Sequence, residues 1–179
     1  MKLLLSIAFM IFFTSALYSQ PVKNTSYTNQ SSEKVLQLEV VLPVNTEAAW
    51  KFFTTDEGLM KWIAPVAHIE LKTGGYILTN YDKAKAITDS SSIKLGIINF
   101  IENELITLKV TLNNNFDELA RRSDGNLQEM IQLKKIDDTH TKVISLMVGF
   151  GTGKAWEKAY DFFTMGNEWT FKEILKTFN

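Results

Sequence analysis

A strand closed by glycine runs directly into one long helix near the C-terminal end, and that junction restricts the fold most. Residues 143–150 (Val-Ile-Ser-Leu-Met-Val-Gly-Phe) read as a largely buried strand. Over residues 154–178, Trp156, Tyr160, Phe163, Thr170, Phe171, Ile174 and Phe178 recur at helical spacing, a broad aromatic stripe on one side of a helix. A stripe that wide is buried only against a concave surface. The upstream strands supply one, which predicts a curved sheet gripping a terminal helix.

The chain has 179 residues, 45% of them hydrophobic, enough for one ordinary core and too few for two. Residues 1–19 stand apart from that core. Lys2 precedes an apolar run over 3–13 broken only by Ser6, and Thr14-Ser15-Ala16-Leu17-Tyr18-Ser19 supplies small residues for cleavage. This is the layout of a secretory signal peptide, and the run is shorter than the ~20 residues a membrane span requires. Cleavage is expected after Ser19, with Ala16 as the other site; an uncleaved N-terminal anchor is the competing reading. The absence of cysteine excludes lipidation at the cleavage site, disulfides and thiolate chemistry. The leader carries Lys2 and no acid, so the mature part has one base fewer than the chain's 19 against all 20 acids. No lysine or arginine cluster supplies the footprint of nucleic-acid binding or of attraction to a membrane surface.

Residues 20–33 are rich in Asn, Ser and Thr and nearly free of aliphatics, which predicts a flexible polar tail. Asn24-Thr25-Ser26 and Asn29-Gln30-Ser31 match the glycosylation pattern, a match that chance explains in so polar a segment. The first strand spans 35–42, ending at Pro43. Asn45 or Thr46 caps a helix carrying Glu47, Ala49, Trp50, Phe52 and Phe53, and a second short helix spans 57–62 before Pro65. Six strands follow, at about 66–72, 76–82, 93–101, 104–112, 127–136 and 140–150. Thr73-Gly74-Gly75, Glu102-Asn103 and Asp137-Asp138-Thr139 suit tight turns, and 83–92 and 113–126 are longer interruptions. Strand, two helices, six strands and a long helix make an antiparallel α+β domain.

Thr46-Glu47-Ala48-Ala49-Trp50-Lys51-Phe52-Phe53-Thr54-Thr55-Asp56-Glu57-Gly58-Leu59-Met60-Lys61-Trp62 resembles the opening helices of the START-like (SRPBCC) superfamily, in the branch named after the activator of Hsp90 ATPase. Leu71-Lys72-Thr73-Gly74-Gly75 resembles that branch's double-glycine turn. The stretch from Thr141 to Phe150, with Gly166-Asn167-Glu168-Trp169 beyond it, resembles its closing strand and helix. The resemblance covers nearly all of residues 34–179 and departs at Asn167, where many relatives carry Trp. It implies a helix-grip fold, a curved antiparallel sheet around the C-terminal helix, with a cavity for hydrophobic small molecules in which some members act as cyclases or lyases. It does not imply chaperone activation, because an exported protein would not meet cytosolic Hsp90.

The two histidines, with no cysteine, give no metal-ligand set: His140 sits in the Asp137-Asp138-Thr139 turn, and His68 reads as a plain sheet residue. No nucleophile elbow, phosphate loop or dinucleotide fingerprint occurs. The candidate cavity lining is Trp62, Ile77, Tyr81, Phe100, Leu108, Val110, Phe150, Tyr160, Phe163 and Trp169, with core filling as the competing reading for each. If Ile77 points inward, Thr79 and Tyr81 follow by the two-residue period. The Tyr81 hydroxyl then orients a ligand or stands in water at the rim. Asn99 and Glu129 are further polar candidates on strands. Arg121 and Arg122 read as one helical turn, over the cavity mouth toward an anionic head group or, with the alternating charges around them, as a solvated surface turn.

The reading is an exported, soluble protein holding a hydrophobic or amphipathic small molecule, with no cofactor, metal, nucleic acid or membrane span after cleavage. A cofactor-free cyclase or lyase using Tyr81 and a protein-interaction module are the alternatives.

Overall fold

The computed structural model describes residues 21–178, so the leader expected over 1–19 lies outside the described residues. Lys23–Asn24 (β1) and Tyr27–Thr28 (β2) pair antiparallel with the same edge of Lys34–Leu42 (β3). That pairing corrects the expectation of a flexible tail over 20–33. Backbone pairing needs no apolar side chains, and the polar ones assist it. Thr25 N donates to Gln37 O at 2.8 Å, and between the two short pairings Ser26 Oγ accepts from Gln37 N at 3.0 Å. Asn29 Oδ1 then accepts from the backbone N–H groups of Ser31 and Glu33, both at 2.9 Å, closing the turn into β3. The polar segment thereby covers an edge that would otherwise present open backbone groups.

Asn45 Oδ1 accepts from Ala48 N at 2.8 Å and starts helix α1 (Thr46–Thr54), with Glu47 in its first turn. The Thr55 hydroxyl accepts from Gly58 N and starts α2 (Asp56–Met60), which leaves Trp62 in the following turn. The chain continues as β4 (Val66–Glu70), β5 (Tyr76–Asn80), β6 (Ile93–Ile101), β7 (Leu105–Lys109), α3 (Glu118–Arg121), β8 (Gln128–Lys135), β9 (Thr141–Val148) and α4 (Lys154–Lys176). The strands form one curved antiparallel sheet in the order β1-β3-β9-β8-β7-β6-β5-β4, with β2 also on β3, wrapped around α4. This is the α+β architecture expected, with strands a few residues shorter than their apolar runs and a helical turn inside the 113–126 loop.

The dense core lies where β3 and β9 meet α1 and the C-terminal half of α4: Leu36, Leu38, Val40, Leu42, Val143, Met147 and Ile174 are all at most 2% exposed. Two glycines seat α4 on the sheet. Gly149 has φ +82°, and a Cβ there would stand 2.0 Å from Asn126 O. A Cβ on Gly151 would stand 2.2 Å from the indole nitrogen of the buried Trp156, which donates instead to Ser123 Oγ at 3.1 Å. No described helix is long and apolar enough to cross a membrane.

Candidate functional site

Between α4 and the sheet lies a cavity of about 330 Å³. From α4 it is walled by Phe163, Gly166, Asn167, Thr170 and Phe171, one face of a helix at the i, i+3, i+4, i+7, i+8 spacing. The opposite wall follows from strand register, because directly opposed residues point to the same side of a sheet. Ile77 faces Leu95, Thr79 faces Ile93, Leu108 faces Glu129 and Ile106 faces Ile131, so a facing chosen at Ile77 is carried from β5 to β8. Phe53, Leu59, Trp62 and Ile63 complete the wall near the first two helices. Trp62 is held by its Nε1 donating to Phe52 O at 2.8 Å and by an edge contact with Phe53, ring centroids 5.2 Å apart. Thr111, Asn113, Asn115, Phe116 and Phe162 also line the space. Tyr81, Phe162 and Trp169 are each more than half exposed and mark the rim. At Gly166 an added Cβ would meet nothing within 4 Å, so the missing side chain leaves open space beside the helix.

Of the residues expected to line a site, Trp62, Ile77, Thr79, Tyr81, Leu108, Val110, Phe163 and Trp169 stand at this wall. Phe100, Phe150 and Tyr160 do not. After a register shift in β6 between Ile97 and Asn99, Phe100 comes opposite Ile106 and faces inward with it, but its ring packs on Trp50 of α1, centroids 6.5 Å apart, and not on the cavity. Phe150 and Tyr160 pack on each other at 5.0 Å, with Trp156 and Phe163 also against Phe150, and this ring cluster is core at the start of α4. Asn99 is exposed, on the far side of the same bulge. Arg121 lies in α3 and reaches Asn114 Oδ1 at 2.9 Å, while Arg122 pairs with Glu118; neither lines the cavity. His68 bonds Asp56 Oδ2 at 2.9 Å and His140 bonds Asp137 within its turn, and among the described residues no group of His, Asp and Glu is placed to hold a metal.

The chemistry of the wall concentrates at Glu129. Its Oε1 accepts from Ser145 Oγ at 2.8 Å and from Asn167 Nδ2 at 3.3 Å, and Asn167 Nδ2 also lies 3.3 Å from Met147 Sδ. Burial raises the pKa of this carboxyl above the ordinary 4.5, and the bond from Ser145 opposes that shift only in part. Glu129 is half-buried and lines the cavity. Among the described residues Tyr81 is the other ionisable one at the wall; desolvation raises its pKa too, although 55% of its surface is open, and no described group bonds its hydroxyl. Glu129 is a candidate as a polar residue borne on a strand, and Asn167 departs from the Trp that many relatives carry. Their convergence from a strand and a helix could not be read from either segment. The β6 and β7 wall, Ile93, Leu95 and Ile106, was hidden among apolar positions that all look alike.

This geometry is that of the START-like helix-grip fold. The chain is similar in structure to CalU16 from Micromonospora echinospora, with a TM-score of 0.64 at 10% identity over 89% of this chain and 85% of that one. It is also similar to Aha1 from Colwellia psychrerythraea, a dimer in solution, with a TM-score of 0.54 at 13% identity over 74% and 90%. PFC0360w, an HSP90 activator from Plasmodium falciparum, gives 0.51 at 15% identity over 73% and 88%. No protein-family model matches the chain. No curated protein matches it by sequence. At such identities the likeness carries the fold, of the type shared by Aha1, and not an activity.

Proposed function

We propose that this is an exported carrier or receptor for a small, mainly apolar molecule, held between the sheet and α4. The observation that carries this reading is the cavity itself: about 330 Å³, at the lower end of the ~300–1,000 Å³ typical of small-molecule sites, with aliphatic and aromatic walls and few polar groups. A packed interior of this size has few voids larger than a water molecule, so a space on this scale is a feature to explain. Tyr81 belongs to the entrance, where its exposed ring contacts a passing guest, and Glu129 supplies the polar contact inside. Export rests on the leader pattern of residues 1–19.

Native mass spectrometry of the protein purified from its own host tests the container. A non-covalent adduct that leaves on denaturation is expected, and Gly166→Leu, which grows a side chain into open space, is expected to remove it. A protein that arrives empty and also fails to take up a neutral apolar dye such as Nile red would overturn the reading. The mass of the mature chain tests export, with a start at Gln20 expected.

A further inference from the structure

We infer that Glu129 makes the cavity selective for a neutral guest carrying a carbonyl-type acceptor oxygen, which takes a hydrogen bond from the carboxyl O–H. The inference rests on the container reading above and names the chemistry of its guest. The two carboxyl oxygens have different surroundings. Oε1 already accepts from Ser145 Oγ and Asn167 Nδ2. Oε2 has no partner among the described residues, yet it keeps accessible surface, and its residue lines the cavity. In the neutral acid the proton therefore belongs on Oε2, the oxygen with no donor aimed at it, and an O–H is presented to the guest.

The charges around this group point the same way. Opposite Glu129 stand Leu108 on β7 and Met147 on β9, with Ser145 beside it and Asn167 reaching from α4; none is charged. Among the described residues no Lys, Arg or His lines the cavity, and Tyr81 stands at its rim. A carboxylate guest would bring an anion into apolar walls with no cation to meet it. An ammonium guest would require Glu129 to ionise and two charges to lose their water, which mutual attraction repays only with further bonds. A carbonyl oxygen needs neither, and it gives Oε2 the partner that the wall does not supply.

Four naphthalenes substituted at the same ring position separate the possibilities by isothermal titration: acetyl, isopropenyl, carboxylate and aminoethyl. The acetyl compound is expected to bind about tenfold more tightly than its near-isostere isopropenylnaphthalene, the worth of one neutral hydrogen bond. That preference is expected to fade as pH rises and Glu129 loses its proton. Glu129→Leu is expected to bring the two affinities together, and Glu129→Gln, which keeps an N–H donor, to hold the preference at every pH. A tighter carboxylate or amine, or equal binding of the acetyl and isopropenyl compounds to the unaltered protein, overturns the inference while leaving the container standing. Failure of the acetyl and isopropenyl compounds alike to bind removes the container reading and this inference together.

Discussion

The two halves of the sheet carry the same kind of apolar alternation and do different things with it. On β3 and β9, Leu36, Leu38, Val143 and Met147 are fully buried in the core cluster and do not line the cavity. On β5, β6 and β7, Ile77, Leu95, Ile106 and Leu108 face a space of about 330 Å³. The same division runs along α4, where Trp156 and Tyr160 pack into the ring cluster with Phe150, while Gly166 and Asn167 sit beside the cavity. One half of the fold is stabilised by contact on every side; the other holds its shape with part of its wall uncontacted. Dispersion contacts are lost wherever a wall has no atoms opposite it, so a side chain there contributes less to stability than its burial suggests.

Substitutions should expose this division. The largest expected effect is Leu38→Ala, with Leu38 at 0% exposure in the dense half: a loss of about 3 kcal/mol in urea denaturation. Leu108→Ala, at 4% exposure but against the cavity, should cost about half of that, roughly 1.5 kcal/mol. Equal costs would mean the two halves are packed alike. Gly166→Ala should raise stability by about 1 kcal/mol, because a helix-interior glycine is replaced where the new methyl meets open space. A loss of stability there would show that the space is already filled. Trp169→Ala, at a rim position 52% exposed, should change stability by no more than about 0.5 kcal/mol and register mainly in uptake of an apolar dye.

The pH dependence sharpens the comparison through its sign. Burial raises the Glu129 pKa above the ordinary 4.5, so the fold keeps a proton that the unfolded chain releases. The full stability from this group is present below that ordinary value. It falls as pH rises from there to the raised folded value, and above that the loss is complete. Glu129→Gln should therefore show a shallower decline over that window, measured by denaturation at a series of pH values. Identical slopes for the two proteins would mean the carboxyl is not buried in the cavity wall.

Much of the architecture was legible because short-range physics sets it. The Asn45 cap, the break before Pro65 and the paired glycines at 74–75 punctuate the chain locally, and the order of elements follows. The site was legible in part. A two-residue period starting from Ile77 reaches Thr79 and, beyond the strand, Tyr81 at the rim. Phe100 was not placed so well: it faces inward with Ile106, yet its ring meets Trp50 of α1 and not the cavity, and no local pattern tells core from lining among inward apolar positions. Sequence reasoning also took residues 23–28 for a loose tail, because composition reports whether a segment can bury side chains and not whether its backbone can complete an edge.

The chain's own pattern thus determined the elements, their order and which faces turn inward, since capping, turn chemistry and periodicity act over a few residues. Only the assembled structure decided where the inward faces touch and where they stand apart. That outcome depends on the curvature of the sheet and the seat of α4 at Gly149 and Gly151, summed over residues far apart in sequence. The same summation places Glu129 and Asn167, 38 positions apart, against one another at 3.3 Å.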